Sequence, residues 1–159
     1  MSLTQQNIEL WGEDIPWLAG LREKGLSAFI KQGLPTAKTE AWKYSYVKES
    51  AFNDLIIDTE PHHCQCGKEC HCHMADDLPF AVIKVHFCNG KPDTEHTELP
   101  RGLVIKPLVE AIYDKEAQKY LNKSFENGQF PYAALNTAYL EQGLMIVAER
   151  NAIIEKPVL

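Results

Sequence analysis

The residues of this chain best equipped for chemistry fall in one run, His-His-Cys-Gln-Cys-Gly-Lys-Glu-Cys-His-Cys-His, from His62 to His73. It holds Cys64, Cys66, Cys70 and Cys72, four of the five cysteines, and His62, His63, His71 and His73, four of the six histidines. Thiolates and imidazoles are ligands for Zn²⁺, Fe–S clusters and Cu(I). The four cysteines suffice for a tetrahedral site, and Gly67 permits the turn that would face one Cys-x-Cys pair towards the other. Structural zinc sites more often space their ligands as Cys-x2–4-Cys on separate hairpins. Eight donors in twelve residues also match an exposed, unselective tract. Two expectations stand side by side: Zn or an Fe–S cluster held at this stretch, or a variable, flexible loop. Outside it, Cys88 reads as a buried thiol within a strand. His86 and His96 read as ordinary surface or packing residues. From Gly33 to Tyr46 there is no nucleophile–base pair and no phosphate-cradling glycine loop. No catalytic residue is assigned, and the chain is expected not to be an enzyme.

Bulk properties narrow the function classes. A chain of 159 residues is long enough for one domain, or one domain with an appendage. It can bury roughly 70% of the surface its unfolded form exposes, so it needs no staple to fold. Hydrophobic residues make up 45% and charged residues 24%, ordinary values for a globular protein. The net charge of −6 disfavours a nucleic-acid partner, which requires a clustered basic face. No apolar run is long enough to span a membrane. The start, Met-Ser-Leu-Thr-Gln-Gln, has no basic region leading into an apolar one, so a secretory signal is not expected. The expected compartment is the cytoplasm, where clustered cysteines are reduced thiols.

The elements flanking the ligand tract come next. Ser2 to Trp11 carries a weak helical pattern. Asp14 and Pro16 signal a helix start. Trp17, Leu18 and Leu21, then Leu26, Phe29 and Ile30, recur at helical spacing, and Gly33 with Pro35 marks the stop. Gly20 and Gly25 lie inside, so a break near Gly25 and a helical pair are expected. Thr36 or Thr39 caps a short helix with Glu40 in its first turn. Trp42, Tyr44 and Tyr46 are expected to anchor this chain reversal. Leu55-Ile56-Ile57 reads as a short strand.

After the tract, Ala81, Ile83, Val85 and Phe87 alternate with Val82, Lys84 and His86, the pattern of a half-buried strand. Asn89-Gly90 signals a hairpin. Residues 91–100 look turn-like, and Leu103-Val104-Ile105 looks like a strand. Pro107 can open a helix through Ile112, and Asp114 can cap another to about Asn122, which Asn127-Gly128 breaks. Pro131 starts a helix with Ala134, Leu135, Ala138 and Tyr139 inward, and Gly143 is expected as its left-handed cap. Leu144 to Ala148 and Ala152 to Ile154 read as strands joined by a turn at Arg150-Asn151.

Four stretches in order carry a family resemblance. Leu34-Pro-Thr-Ala-Lys-Thr-Glu-Ala-Trp-Lys-Tyr44 resembles the LPT-x-K-x-E-x-WKY segment of the SufD family, the Fe–S assembly subunit of the SufBCD complex. Val85-His-Phe-Cys-Asn-Gly90 and Leu99-Pro-Arg-Gly-Leu-Val-Ile-Lys-Pro-Leu-Val-Glu-Ala111 resemble its hairpin and its LP-x-G segment. Phe130, Ala134-Leu-Asn-Thr-Ala138, Gly143 and Glu155-Lys-Pro157 resemble its closing run. Together they cover most of residues 15–159.

The resemblance implies an α+β chain: an N-terminal helical segment, a small mixed α/β region with a β-hairpin, then the first strands of a right-handed parallel β-helix. The expected divisions are 1–60 helical, 61–78 the Cys/His-rich variable loop, 79–143 mixed, and 144–159 the first, truncated β-helix strands. The implied function is that of a non-catalytic scaffold in SUF iron–sulfur cluster assembly, with SufB and SufC as partners of the full-length protein. The family's cluster-building residues would lie beyond Leu159, so none is assigned here. The Cys/His tract is not explained by the resemblance. The alternative is a stand-alone metal-binding or metal-delivery module built on residues 62–73. Strands left open near the end are expected to promote self-association.

Overall fold

A computed structural model of the chain describes residues 8–45, 47–52, 78–88, 90–93, 98–124 and 130–159. The expected strand at Leu55-Ile56-Ile57, the Asn127-Gly128 break and residues 2–7 of the first helical pattern lie outside the described residues. Residues 8–11 of that pattern form coil and turn, not helix.

Two compact units are present, each drawn from two separated stretches: Met1–Glu60 with Gln118–Glu141, and Pro61–Ala117 with Gln142–Leu159. The first unit is built on α1, Pro16–Gln32, and α4, Pro131–Ala138. Both start with proline in the first turn, where its missing N–H costs no hydrogen bond. No side chain caps α1; the residue before it, Ile15, is extended, so the Asp14 cap is not formed. Gly33, at φ 67°, closes α1 by donating its N–H to Phe29 O at 2.8 Å. That conformation is open to glycine at little cost.

The expected break at Gly25 does not occur, and α1 is one helix. Gly25 is buried because α4 lies against it. A Cβ there would stand 2.7 Å from the Ala138 nitrogen, 2.8 Å from Thr137 Cβ and 2.9 Å from Ala134 O. The facing residues are small and buried, with Ala134 at 0% and Ala138 at 7% exposure. The helices approach at a contact of small residues, which requires glycine on one side. Leu18 and Phe29 are buried on α1, whereas Ile30 points outward at 64% exposure.

Among its described residues the second unit holds two antiparallel pairs. β1, His86–Cys88, and β2, Lys91–Asp93, form the hairpin expected around Asn89-Gly90. Gly90 has φ 81°, as such turns demand. Residues 91–93, expected to be turn-like, are thus the returning strand. β3, Leu103–Pro107, pairs with β4, Leu144–Ala148, with Ile105 opposite Ile146. Ile83, Leu103 and Ile105 form the core, with Val85, Leu144, Ile154 and Val158 packed on it. Ala81 and Phe87, expected on the same inward face as Ile83, are exposed.

The fold class is mixed α and β with small antiparallel sheets, and a parallel β-helix is not formed by these strands. β4 turns back on β3, because the chain re-enters the sheet from the opposite direction. Ala152 to Ile154 is not a strand; instead Val158 makes a single parallel bridge to Ile83. Asn151, at φ 66°, supplies the expected turn. Gly143 is not left-handed; α4 ends at Tyr139, and Gly143 O accepts from the Leu108 N–H at 2.8 Å. Short helices α2, Leu108–Ala111, and α3, Lys115–Tyr120, follow β3, with the Asp114 carbonyl accepting from Ala117 N–H at the start of α3.

Candidate functional site

The eight ligand candidates, His62, His63, Cys64, Cys66, Cys70, His71, Cys72 and His73, lie outside the described residues, as does His96. The Cys88 side chain lies outside them too, and His86 is exposed. Among the described residues no three His, Cys, Asp or Glu side chains converge as metal ligands.

A buried charge commonly marks a functional centre, and Arg22 is 7% exposed. Its donors are committed within the first unit. Nε and Nη2 both donate to Leu140 O, at 2.9 and 2.6 Å, and Nη1 donates to Trp11 O at 2.8 Å. The guanidinium also lies 5.5 Å from the Trp11 ring centroid, and the indole Nε1 donates to Glu141 O at 2.9 Å. Burial lowers the Arg22 pKa, against the raising pull of Glu141 and then Glu13. Arginine still remains protonated at any ordinary pH. Arg22 therefore clasps the segment before α1 to the segment after α4. Sequence reading missed it, since its acceptors are backbone carbonyls that no side-chain pattern advertises.

The SufD-like segment forms a compact turn. Thr36 N–H donates to Thr39 Oγ1 at 3.1 Å, and Lys38 N–H donates to Thr36 Oγ1 at 3.2 Å. Trp42 N–H donates to Thr39 O at 2.9 Å, opening the 3₁₀ turn Glu40–Trp42. Thr39 thus stands at the start of a short helical turn with Glu40 next, as expected, although its hydroxyl serves the preceding loop. Trp42 meets Tyr132 of α4 edge-on, with ring centroids 4.9 Å apart, and Phe52 stacks on Tyr132 at 6.4 Å. Tyr44 is no anchor: it is 92% exposed. Tyr46 lies outside the described residues.

In the second unit, a groove of about 710 Å³ runs between Val82, Lys84, Leu99, Ile153, Glu155 and Lys156. Of its apolar members, Leu99 is 37% and Ile153 80% exposed, whereas Ile83 at its floor is buried at 4%. Its charges are two lysines, Lys84 and Lys156, and two glutamates, Glu98 and Glu155. Such a surface offers apolar burial with a charged rim, which is how protein surfaces meet one another. Ile83 and Val85 are occupied on their other side, where Ile83 N–H donates to Pro157 O and Val85 N–H to Leu159 O, both at 2.8 Å.

The family model described as the SufBD protein N-terminal region matches residues 2–159. The chain belongs to that family, which places it with the SUF proteins of iron–sulfur cluster assembly. No curated protein matches it, and no solved structure does. Among the described residues no helix is long and apolar enough to cross a membrane.

Proposed function

We infer that this chain is a non-catalytic scaffold portion of the SUF iron–sulfur assembly complex, of the SufD type, acting with SufB and SufC in the cytoplasm. The family match across residues 2–159 carries the reading. The Leu34–Tyr44 segment favours SufD within that family. Two further features support a scaffold. The one deeply buried charge described, Arg22, spends its donors on backbone carbonyls. The groove beside Ile153 sets apolar side chains beside two lysines and two glutamates, a mixed surface of the kind that meets another protein. A right-handed parallel β-helix belongs to this reading, and the Ile83–Val158 bridge is the parallel pairing among the described residues that leans towards it.

The test is genetic. Deleting the coding sequence should lower the activity of Fe–S dehydratases in cell extracts and leave haem enzymes unchanged. Undiminished Fe–S enzyme activity would sink the reading. The stand-alone metal module has no support among the described residues, and a second measurement separates it. Anaerobically purified chain is assayed for bound zinc and iron before and after replacing Cys64, Cys66, Cys70 and Cys72 with Ser. Stoichiometric metal lost in that variant, with Fe–S enzymes intact in the deletion strain, would replace the scaffold with the metal module.

A further inference from the structure

Tyr44 adds nothing to the core, but the turn that carries it is fastened on both flanks. Before it, Pro35 is buried, and the hydroxyls of Thr36 and Thr39 accept from the Lys38 and Thr36 N–H groups at 3.2 and 3.1 Å. Beside it, Trp42 is set against Tyr132 with ring centroids 4.9 Å apart. Ser45 N–H donates to Trp42 O at 3.0 Å, closing the turn around Lys43 and Tyr44. Tyr44 nonetheless stands 92% exposed, and Val47 is 42% exposed. An aromatic ring left in water contributes no burial to folding. A backbone already fixed around it lowers the ordering cost of binding something there.

The charges around Tyr44 have one dominant sign. Lys38, Lys43 and Lys48 are exposed along this short stretch, in a chain whose net charge is −6. Glu40, also exposed, is the acidic residue among them. Among the described residues no ion pair engages these lysines, whereas Lys106 is paired with Asp114 at 3.0 Å. The Lys43 ammonium lies 5.2 Å from the Tyr44 ring centroid. A cation and an aromatic face are thus held together as one exposed unit. All of these residues belong to the first unit.

We propose that this turn is a docking surface for an acidic segment of another protein, with Tyr44 as its central contact and Lys38, Lys43 and Lys48 as its cationic rim. Tyrosine is prominent among the residues that dominate binding, because it buries a large area with few rotatable bonds. Rim charges steer a partner of opposite sign and exclude partners of like sign. The partner's carboxylates must be discrete, so that they meet the lysines and avoid Glu40. A nucleic acid fits less well, since its continuous phosphates would face Glu40 and a chain of net −6. An anionic bilayer fits less well too, since surface binding needs a broad apolar face and this turn offers Tyr44 and Val47. A contact this small falls well below the ~1,200 Å² of a stable interface, so it is weak and sensitive to salt. The inference goes beyond the SUF reading and does not depend on it.

The probe is a fluorescein-labelled peptide, Glu-Glu-Leu-Glu-Glu-Leu-Glu-Glu, titrated with the whole chain and followed by fluorescence anisotropy. Binding should saturate and should weaken as salt is raised, and the same peptide with Gln for every Glu should not bind. Tyr44→Ser should weaken binding at least about fivefold, and Tyr44→Phe should bind as the parent does. Lys38→Gln and Lys43→Gln should each weaken it about threefold. Tyr113→Ser, at a residue 73% exposed in the second unit, should change it less than about twofold. No saturation overturns the proposal, and so does equal binding of the Gln peptide. Tyr44→Ser binding as the parent does, or Tyr113→Ser losing as much, also overturns it. Tighter, Tyr44-dependent binding of a single-stranded oligonucleotide or of phosphatidylserine vesicles would assign the surface to a different partner and overturn it. If Tyr44→Ser fails to fold by its far-ultraviolet spectrum, the two lysine variants and the Gln peptide decide.

Discussion

Trp42 and Tyr44 stand two positions apart in one motif and meet different surroundings. Trp42 abuts Tyr132, whereas Tyr44 touches little beyond Lys43, whose Nζ lies 5.2 Å from its ring centroid. Aromatic type is readable from the chain; which aromatic finds a partner depends on α4, far downstream. Trp42→Ala is expected to cost about 2–3 kcal/mol, and Tyr44→Ala less than about 0.5 kcal/mol. Equilibrium urea unfolding measures both, and equal losses would contradict the packing described. Tyr139, at the end of α4, makes a pH-dependent contribution. Burial raises its pKa above 10.0, so the folded state favours the neutral phenol. That contribution is full below the unfolded value and is lost as pH rises through the folded one. Thermal unfolding should shift to lower temperature above about pH 10, and Tyr139→Phe should lessen the shift. A parallel decline in both proteins would show that Tyr139 plays no part.

At the level of elements, local signals were legible. Pro16 and Gly33 bound α1, Pro131 opens α4, Gly90 turns the first hairpin, and Asn151 makes the turn after β4. These positions depend on backbone preferences that each residue carries with it. Contacts between distant elements were not legible. Gly25 looked like a helix breaker because propensity counts only its own turn, whereas its role is to admit the backbone of α4. β3 and β4 were readable as apolar runs, but the direction of their pairing is set by the path between them. Two substitutions in α1 separate propensity from packing. Gly20 has nothing within 4 Å of its missing Cβ, so Gly20→Ala should stabilise by about 0.5–1 kcal/mol. Gly25→Ala drives a methyl into backbone atoms of α4 and should destabilise by about 1–3 kcal/mol. Denaturant midpoints of the two variants should move in opposite directions. A stabilised Gly25→Ala would mean that the close approach is wrong.

Across the molecule, family motifs in the right order were the most informative feature of the sequence, because order is kept where individual packing is not visible. The same sequence drew attention to the Cys/His tract, whose chemistry rests on residue types alone. The structure shifts that attention to Arg22, Gly25 and the turn at Trp42, which hold the first unit together. The Gly25 contact has a temporal consequence. Its partner Ala134 is 134 − 25 = 109 positions later in the chain. At ribosomal rates of roughly 5–20 residues per second, α1 waits about 5–20 s for α4 to be made. Throughout that interval its Leu18 and Phe29 face has no helix to meet. During synthesis this protein presents an uncovered amphipathic helix, a transient client for whatever holds nascent chains at the ribosome exit.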